Sequence, residues 1–137
     1  MVALKMVEVG LEWKYWEFVR ILRNDERVKS GFIQQEHISV EDHAKYMFKH
    51  HKCYFACLAD EEFAGYVGVV DEDIRIATHP DKQKLGVGSF MLEFVKANFP
   101  TAKAKIKLEN EASLKLFQKS GYVPRYYLLD PPSQNNK

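Results

Sequence analysis

The sequence predicts a sheet covered by helices, an α/β or α+β protein, and three observations carry that expectation. β-rich runs alternate with amphipathic stretches in the order β-α-α-β-β-β-α-β-α-β. Two β-rich runs, 52–58 and 63–70, are joined only by Ala59-Asp60-Glu61-Glu62. They read as a hairpin, apolar on both faces and therefore central in the sheet. Last, Gln83-Lys84-Leu85-Gly86-Val87-Gly88 stands between a strand and a strongly periodic helix. Two glycines at such a junction let backbone N–H groups turn toward a ligand without Cβ interference. The helix start behind them carries roughly +0.5 of a charge, which suits a pyrophosphate.

Taken in order, residues 3–9 alternate as a first strand. Leu11, Tyr15, Phe18, Val19 and Leu22 recur at helical spacing, giving a helix to about Arg23. Arg23-Asn24-Asp25-Glu26-Arg27 is a polar break, with a short segment to Ile33. Ser39 with Asp42 resembles a capping box that opens a helix to about His50, with Val40, Ala44, Met47 and Phe48 inward. After the hairpin, Asp73 to Thr78 is the next strand. Val87, Phe90, Met91, Phe94 and Val95 then form one helical stripe, ending near Pro100. Ala102, Ala104, Ile106 and Leu108 alternate with Lys103, Lys105 and Lys107, a one-sided strand whose lysines read as a solvated face. Asn110 to Ser120 is a helix stopped by Gly121 at C′, and a final strand covers 122–129.

At 137 residues the chain reads as one domain, 1–130, followed by a frayed tail over 131–137. Apolar residues at 46% and charged residues at 28% describe a globular protein. A net charge of +1, with no basic patch interleaved with aromatics, argues against nucleic acid as a partner. No apolar run approaches the roughly 18 residues that span a membrane. The start, Met1-Val2-Ala3-Leu4-Lys5, lacks a signal-peptide layout, so a cytoplasmic address is expected. Cys53 and Cys57, if on one strand, lie about 13 Å apart at 3.3 Å per residue, too far for a disulfide. They read as two buried, reduced thiols, and no metal is expected.

With these pieces in place, residues 74–122 resemble the cofactor-binding half of the GNAT superfamily of N-acyltransferases. One matching piece is Thr78-His79-Pro80-Asp81 running into Gln83-x-x-Gly86-x-Gly88. The other is Asn110-x-x-Ser113-x-x-x-Phe117-x-x-x-Gly121-Tyr122, similar to the family's asparagine-bearing helix. The resemblance implies a central, mostly antiparallel sheet, splayed between its fourth and fifth strands and flanked by helices. It implies acetyl-CoA as cosubstrate and an amine as acceptor, and it leaves a homodimer open. The N–H groups of Leu85, Gly86, Val87, Gly88 and Ser89 would hold the pyrophosphate, with side-chain contacts from Gln83 and Lys84. Backbone groups of Ile76, Ala77 and Thr78 would pair with the pantetheine arm as an added strand, and Asn110 would bind that arm in the splay. Ser113 and Phe117 belong to the same binding helix. His79-Pro80 reads as turn-shaping rather than catalytic.

Acyl transfer needs an unprotonated amine, a place for the oxyanion and a proton for the leaving thiolate. Glu72, where some family members carry a catalytic glutamate, is the leading base, with Asp71 and Asp73 as competitors; alternation puts Asp73 on the opposite face. Many relatives place a proton-donating tyrosine where this chain has Phe117, so that role is empty or moved. Ser113 is a weak candidate acid and Tyr122 another. The chain also lacks one of the family's last strands, which commonly wall the acceptor pocket. The segment Arg23 to Val28 vaguely resembles that of relatives acylating protein N-termini or amino sugars, but as a charged loop it reads first as a solvated connection and does not choose a substrate. The expected activity is acetyl transfer to a primary amine, most simply of a small molecule. The alternatives are a protein amine as acceptor, or a CoA-binding module without robust catalysis.

Overall fold

In the computed structural model, which describes residues 2–132, four strands form one antiparallel sheet. They are β1 (Leu4–Glu8), β2 (Tyr54–Ala59), β3 (Glu62–Val70) and β4 (Asp73–Thr78), hydrogen-bonded in that order. The two hairpins close through Asp60-Glu61 and Asp71-Glu72. These four residues have φ of 49°, 70°, 52° and 62°, the paired left-handed conformation whose twist matches the flanking strands.

The helices are α1 (Trp13–Asn24), α2 (Glu26–Lys29), α3 (Val40–His50), α4 (Val87–Asn98) and α5 (Glu111–Lys119). Strand alternation divides the apolar side chains between two layers. Val67, Val69 and Ile74 pack with Val87, Met91, Leu92 and Val95 of α4 and Phe117 of α5. Tyr54, Ala56, Tyr66 and Ala77 pack on the other face with Trp16, Val19 and Leu22 of α1 and Met47 of α3. Each of these buried side chains contributes about 1.5–3 kcal/mol where it is large and apolar. Alternation along β2 serves both layers, with Tyr54 and Ala56 on one face and Cys57 and Ala59 on the other.

Several sequence expectations need correction. Residues 102–108 are not a strand: they meet β4 at one parallel bridge, Asp73 with Lys103. Past Lys103 they run free of β4, so no ladder forms and Leu108 is 85% exposed, although Ala104 and Ile106 still pack against the α4 layer. Residues 122–129 are likewise without regular structure: they pair with no strand among the described residues, and Tyr126 to Leu129 are exposed. In α3 the buried face holds His43 and Met47, one turn apart, while Val40 and Phe48 point to solvent. Leu11 precedes α1 and is exposed, and Phe90 lies at the rim of the α4 stripe. Cys57 is buried, but Cys53 ends a 3₁₀ turn before β2 and is only partly covered; both are free thiols. Of the expected tail, residues 133–137 lie outside the described residues.

Candidate active site

The turn after β4 is built from local chemistry. His79 Nδ1 accepts from the Asp81 N–H at 3.1 Å and shapes a short 3₁₀ turn over Pro80–Lys82. Lys84 and Gly86 then adopt left-handed φ of 65° and 80°, and Gly86 caps α4. The first α4 amide to find a carbonyl is Phe90, on Gly86 O at 2.9 Å. The amides of Val87, Gly88 and Ser89 therefore lack intrahelical acceptors and point out of the helix start. At Gly88 a Cβ would come within 2.8 Å of Leu116 Cδ2, so the glycine allows α4 to lie close against α5.

This turn opens into a groove of about 870 Å³ that follows β4. Among the described residues the outer edge of β4 is paired only at its beginning, where the Ile74 N–H donates to Lys103 O at 2.7 Å and Lys103 N–H to Glu72 O at 2.8 Å. Strand alternation then turns the backbone groups of Ile76 and Thr78 to this open edge, while those of Ala77 face β3. Across the gap stands Asn110. Its Oδ1 accepts from the Ser113 N–H at 3.1 Å, capping α5, and its Nδ2 donates to Gly31 O at 3.2 Å. The loop after α2 is thereby tied over the groove, and Lys107 Nζ on Ser30 O at 3.0 Å fastens it again. Its other end is held by Asn24, which exchanges two hydrogen bonds with Ile38 at 2.8 and 2.9 Å.

The groove is charged asymmetrically. Arg23, Arg27, Arg75, Lys82, Lys84, Lys105 and Lys119 line it against a single carboxylate, Asp73. This bias inside a chain of net charge +1 suits an anion, with Arg23, Lys84, Lys105 and Lys119 outside any ion pair among the described residues and Lys82 held by Glu62. Arg27 is already engaged by Asp25 at 2.9 Å and Asp81 at 3.3 Å. Arg75 meets Asp73 at 3.4 Å and donates to the Tyr46 hydroxyl at 2.9 Å, which shares a 2.8 Å bond with Tyr54. Burial pushes the Tyr66 phenol, also in the groove wall, up to about 12. A group that holds its proton so firmly donates a hydrogen bond rather than a proton to a thiolate near 8.5.

Of the residues singled out from sequence, Ile76, Ala77, Thr78, Gln83, Lys84, Gly86, Val87, Gly88, Ser89, Asn110, Ser113 and Phe117 all line this groove. Leu85 is beside it on the turn, partly exposed. Glu72 is not in the groove wall: it occupies the exposed tip of the β3–β4 turn, where its carboxylate accepts from Thr101 Oγ1. Asp73, on the opposite face, is the carboxylate that lines the groove. Phe117 is 3% exposed and packs edge-on to Tyr122 at 5.2 Å, so its ring serves the core. Sequence reasoning missed Tyr66, Arg75 and the strap at Gly31. A lone arginine within Ile74-Arg75-Ile76-Ala77 was the available signal; Tyr66, inside an apolar strand, left none.

Comparison with known proteins agrees with this geometry. A model for the acetyltransferase (GNAT) family matches residues 13–122. No curated protein sequence matches the chain. Among solved structures, spermidine N-acetyltransferase from Vibrio cholerae, in complex with CoA and spermine, superposes with a TM-score of 0.74 at 16% identity, covering 99% of this chain and 89% of that one. An acetyltransferase from Salmonella typhimurium that modifies the N-terminal serine of ribosomal protein L7/L12 gives 0.66 at 13% identity, covering 88% and 84%. The aminoglycoside N-acetyltransferase AAC(6')-Iy, in complex with CoA, gives 0.66 at 14% identity, covering 98% and 95%.

Proposed function

The chain belongs to the acetyltransferase (GNAT) family, and from that premise we propose that it moves an acetyl group from acetyl-CoA to the primary amine of a small molecule by direct attack. The observation that carries this reading is the continuous groove from the Gly86 turn along the open edge of β4, lined by seven cations and one carboxylate. The cosubstrate supplies an activated thioester. The free amides of Val87, Gly88 and Ser89, with Gln83 and Lys84, would hold its pyrophosphate at the start of α4. Ile76 and Thr78 would pair with the pantetheine arm through their outward backbone groups, and the remaining Asn110 amide hydrogen would reach it from across the gap.

An alkylamine is mostly protonated at neutral pH, with an ordinary pKa near 10.4. Asp73, the groove's carboxylate, would take that proton, directly or through water, in place of the distant Glu72. Phe117 has no proton to give, and a thiolate leaving group near 8.5 can be protonated by water. The test is release of free thiol from acetyl-CoA across a panel of amines, including a peptide N-terminus. Amine-dependent release supports the reading. Tight CoA binding without release on any amine would instead mark a CoA-binding module.

A further inference from the structure

The part of the groove beneath α1 and the loop after α2 carries a feature that acetyl transfer alone does not require. Arg23, from the last turn of α1, lies over the Phe32 ring at 5.7 Å and has no carboxylate partner among the described residues. Tyr66, from the middle of β3, is 2% exposed, yet its hydroxyl makes no hydrogen bond among the described residues and faces the groove. The neighbouring tyrosines, Tyr46 and Tyr54, are satisfied by each other and by Arg75. That hydroxyl opens onto the groove, since among the described residues only His51 Nδ1 is both buried and unpartnered, so the Tyr66 O–H is free to donate to a group bound there. Arg23 and Tyr66 line the same groove, and Arg75 reaches the tyrosines through Tyr46 and its partner Tyr54, whose ring centroid is 6.1 Å from that of Tyr66. All three side chains come from the α1–α3 face of the sheet, away from the α4 start that suits the pyrophosphate.

We infer that Arg23, Tyr66 and Arg75 form a receptor for an acidic group on the acceptor, so that the amine acetylated belongs to a carboxylate- or phosphate-bearing molecule. The receptor rests on the proposed acetyl transfer and narrows it. One acidic residue against these cations gives a polyamine or aminoglycoside little counter-charge, although the structural neighbours above act on such amines. A guanidinium over an aromatic ring beside a neutral phenol donor matches a planar carboxylate or a phosphate, bound by charge-assisted hydrogen bonds.

The test uses the full chain saturated with CoA and titrates phosphoethanolamine, β-alanine, ethanolamine and spermidine by calorimetry. The same four amines are then assayed for transfer from acetyl-CoA. The expected result is binding of one or both acidic amines at least tenfold tighter than ethanolamine, with spermidine weakest. Which acidic amine binds better assigns the group as phosphate or carboxylate. Arg23→Gln and Tyr66→Phe, checked for folding by circular dichroism, should each weaken acidic-amine binding about tenfold and change CoA affinity less than twofold. Transfer to ethanolamine or spermidine with no preference for the acidic pair overturns this inference and leaves the acetyltransferase reading standing. Acidic-amine binding without transfer to any amine does the reverse. Unchanged binding in both variants also overturns it.

Discussion

Replacing Gly86 with alanine separates what the turn does from what the core does. Gly86 sits at φ +80°, and a Cβ there would meet nothing within 4 Å. The cost is therefore conformational, about 1–2 kcal/mol for an L-residue held in the left-handed region. Gly88 is the opposite case: its Cβ would lie 2.8 Å from Leu116 Cδ2, the far end of a flexible side chain. That side chain can rotate away at a smaller cost, and the backbone of the turn is untouched. If the Val87, Gly88 and Ser89 amides form the pyrophosphate site, Gly86→Ala shifts the turn out of its binding shape. It should weaken CoA binding by tenfold or more, since 1.4 kcal/mol is one decade. Urea unfolding should register only the part of that strain the shifted turn does not relieve, less than about 1 kcal/mol. Gly88→Ala should change CoA affinity less, while disturbing the α4–α5 contact. Calorimetric titration of CoA into both variants is the assay. A Gly86→Ala protein that folds and binds CoA like the wild type would refute the assignment of this turn.

Three further outcomes are expected. Asp73→Asn should lower kcat at least tenfold with little change in CoA affinity, while Glu72→Gln should leave kcat within about twofold; the reverse ranking returns the base to the β3–β4 turn. Phe117→Tyr should leave kcat within about twofold, because water already protonates the thiolate; a rise of fivefold or more would show that proton supply limits the rate. His43, buried against α1, is held neutral, its pKa lowered by desolvation from 6.5 to about 4. The unfolded chain takes that proton at higher pH than the folded chain does, so this stability is complete above about 6.5 and is lost as pH falls toward 4. The loss is on the order of 2 kcal/mol once residual hydration is allowed for. Urea unfolding at pH 7.5 and 5 should show it in the wild type, and His43→Gln should halve it or more.

What the chain reveals from residues alone follows from how local each feature is. Strand β4, the Gly86 turn and the Asn110–Gly121 helix carry their own boundary chemistry. The turn has left-handed glycine, the helix has an asparagine cap at one end and Gly121 at φ +96° at the other, and all were legible. Residues 102–108 alternate as well as any strand, but a strand exists only if a neighbour supplies a ladder, and β4 diverges after Lys103. Residues 122–129 fail for the same reason. In α3, a histidine is polar by composition yet neutral and inward in fact, which shifted the buried face away from Val40 and Phe48. The candidate site divides likewise. The anion-binding turn is a short contiguous segment, whereas Arg23, Tyr66 and Arg75 come from α1, β3 and β4 and meet only after folding. Glu72 and Asp73 are adjacent in sequence, and the tight Asp71-Glu72 turn decides which of them enters the groove.

The most direct measurement is mass spectrometry of an amine panel incubated with the protein and acetyl-CoA labelled in its acetyl group. The account predicts one labelled acetyl on the nitrogen of an accepted amine, in step with free thiol released and lowered about tenfold or more by Gly86→Ala at low acetyl-CoA. Thiol release without labelled amine, or no labelled product from any amine while CoA binds tightly, would contradict it.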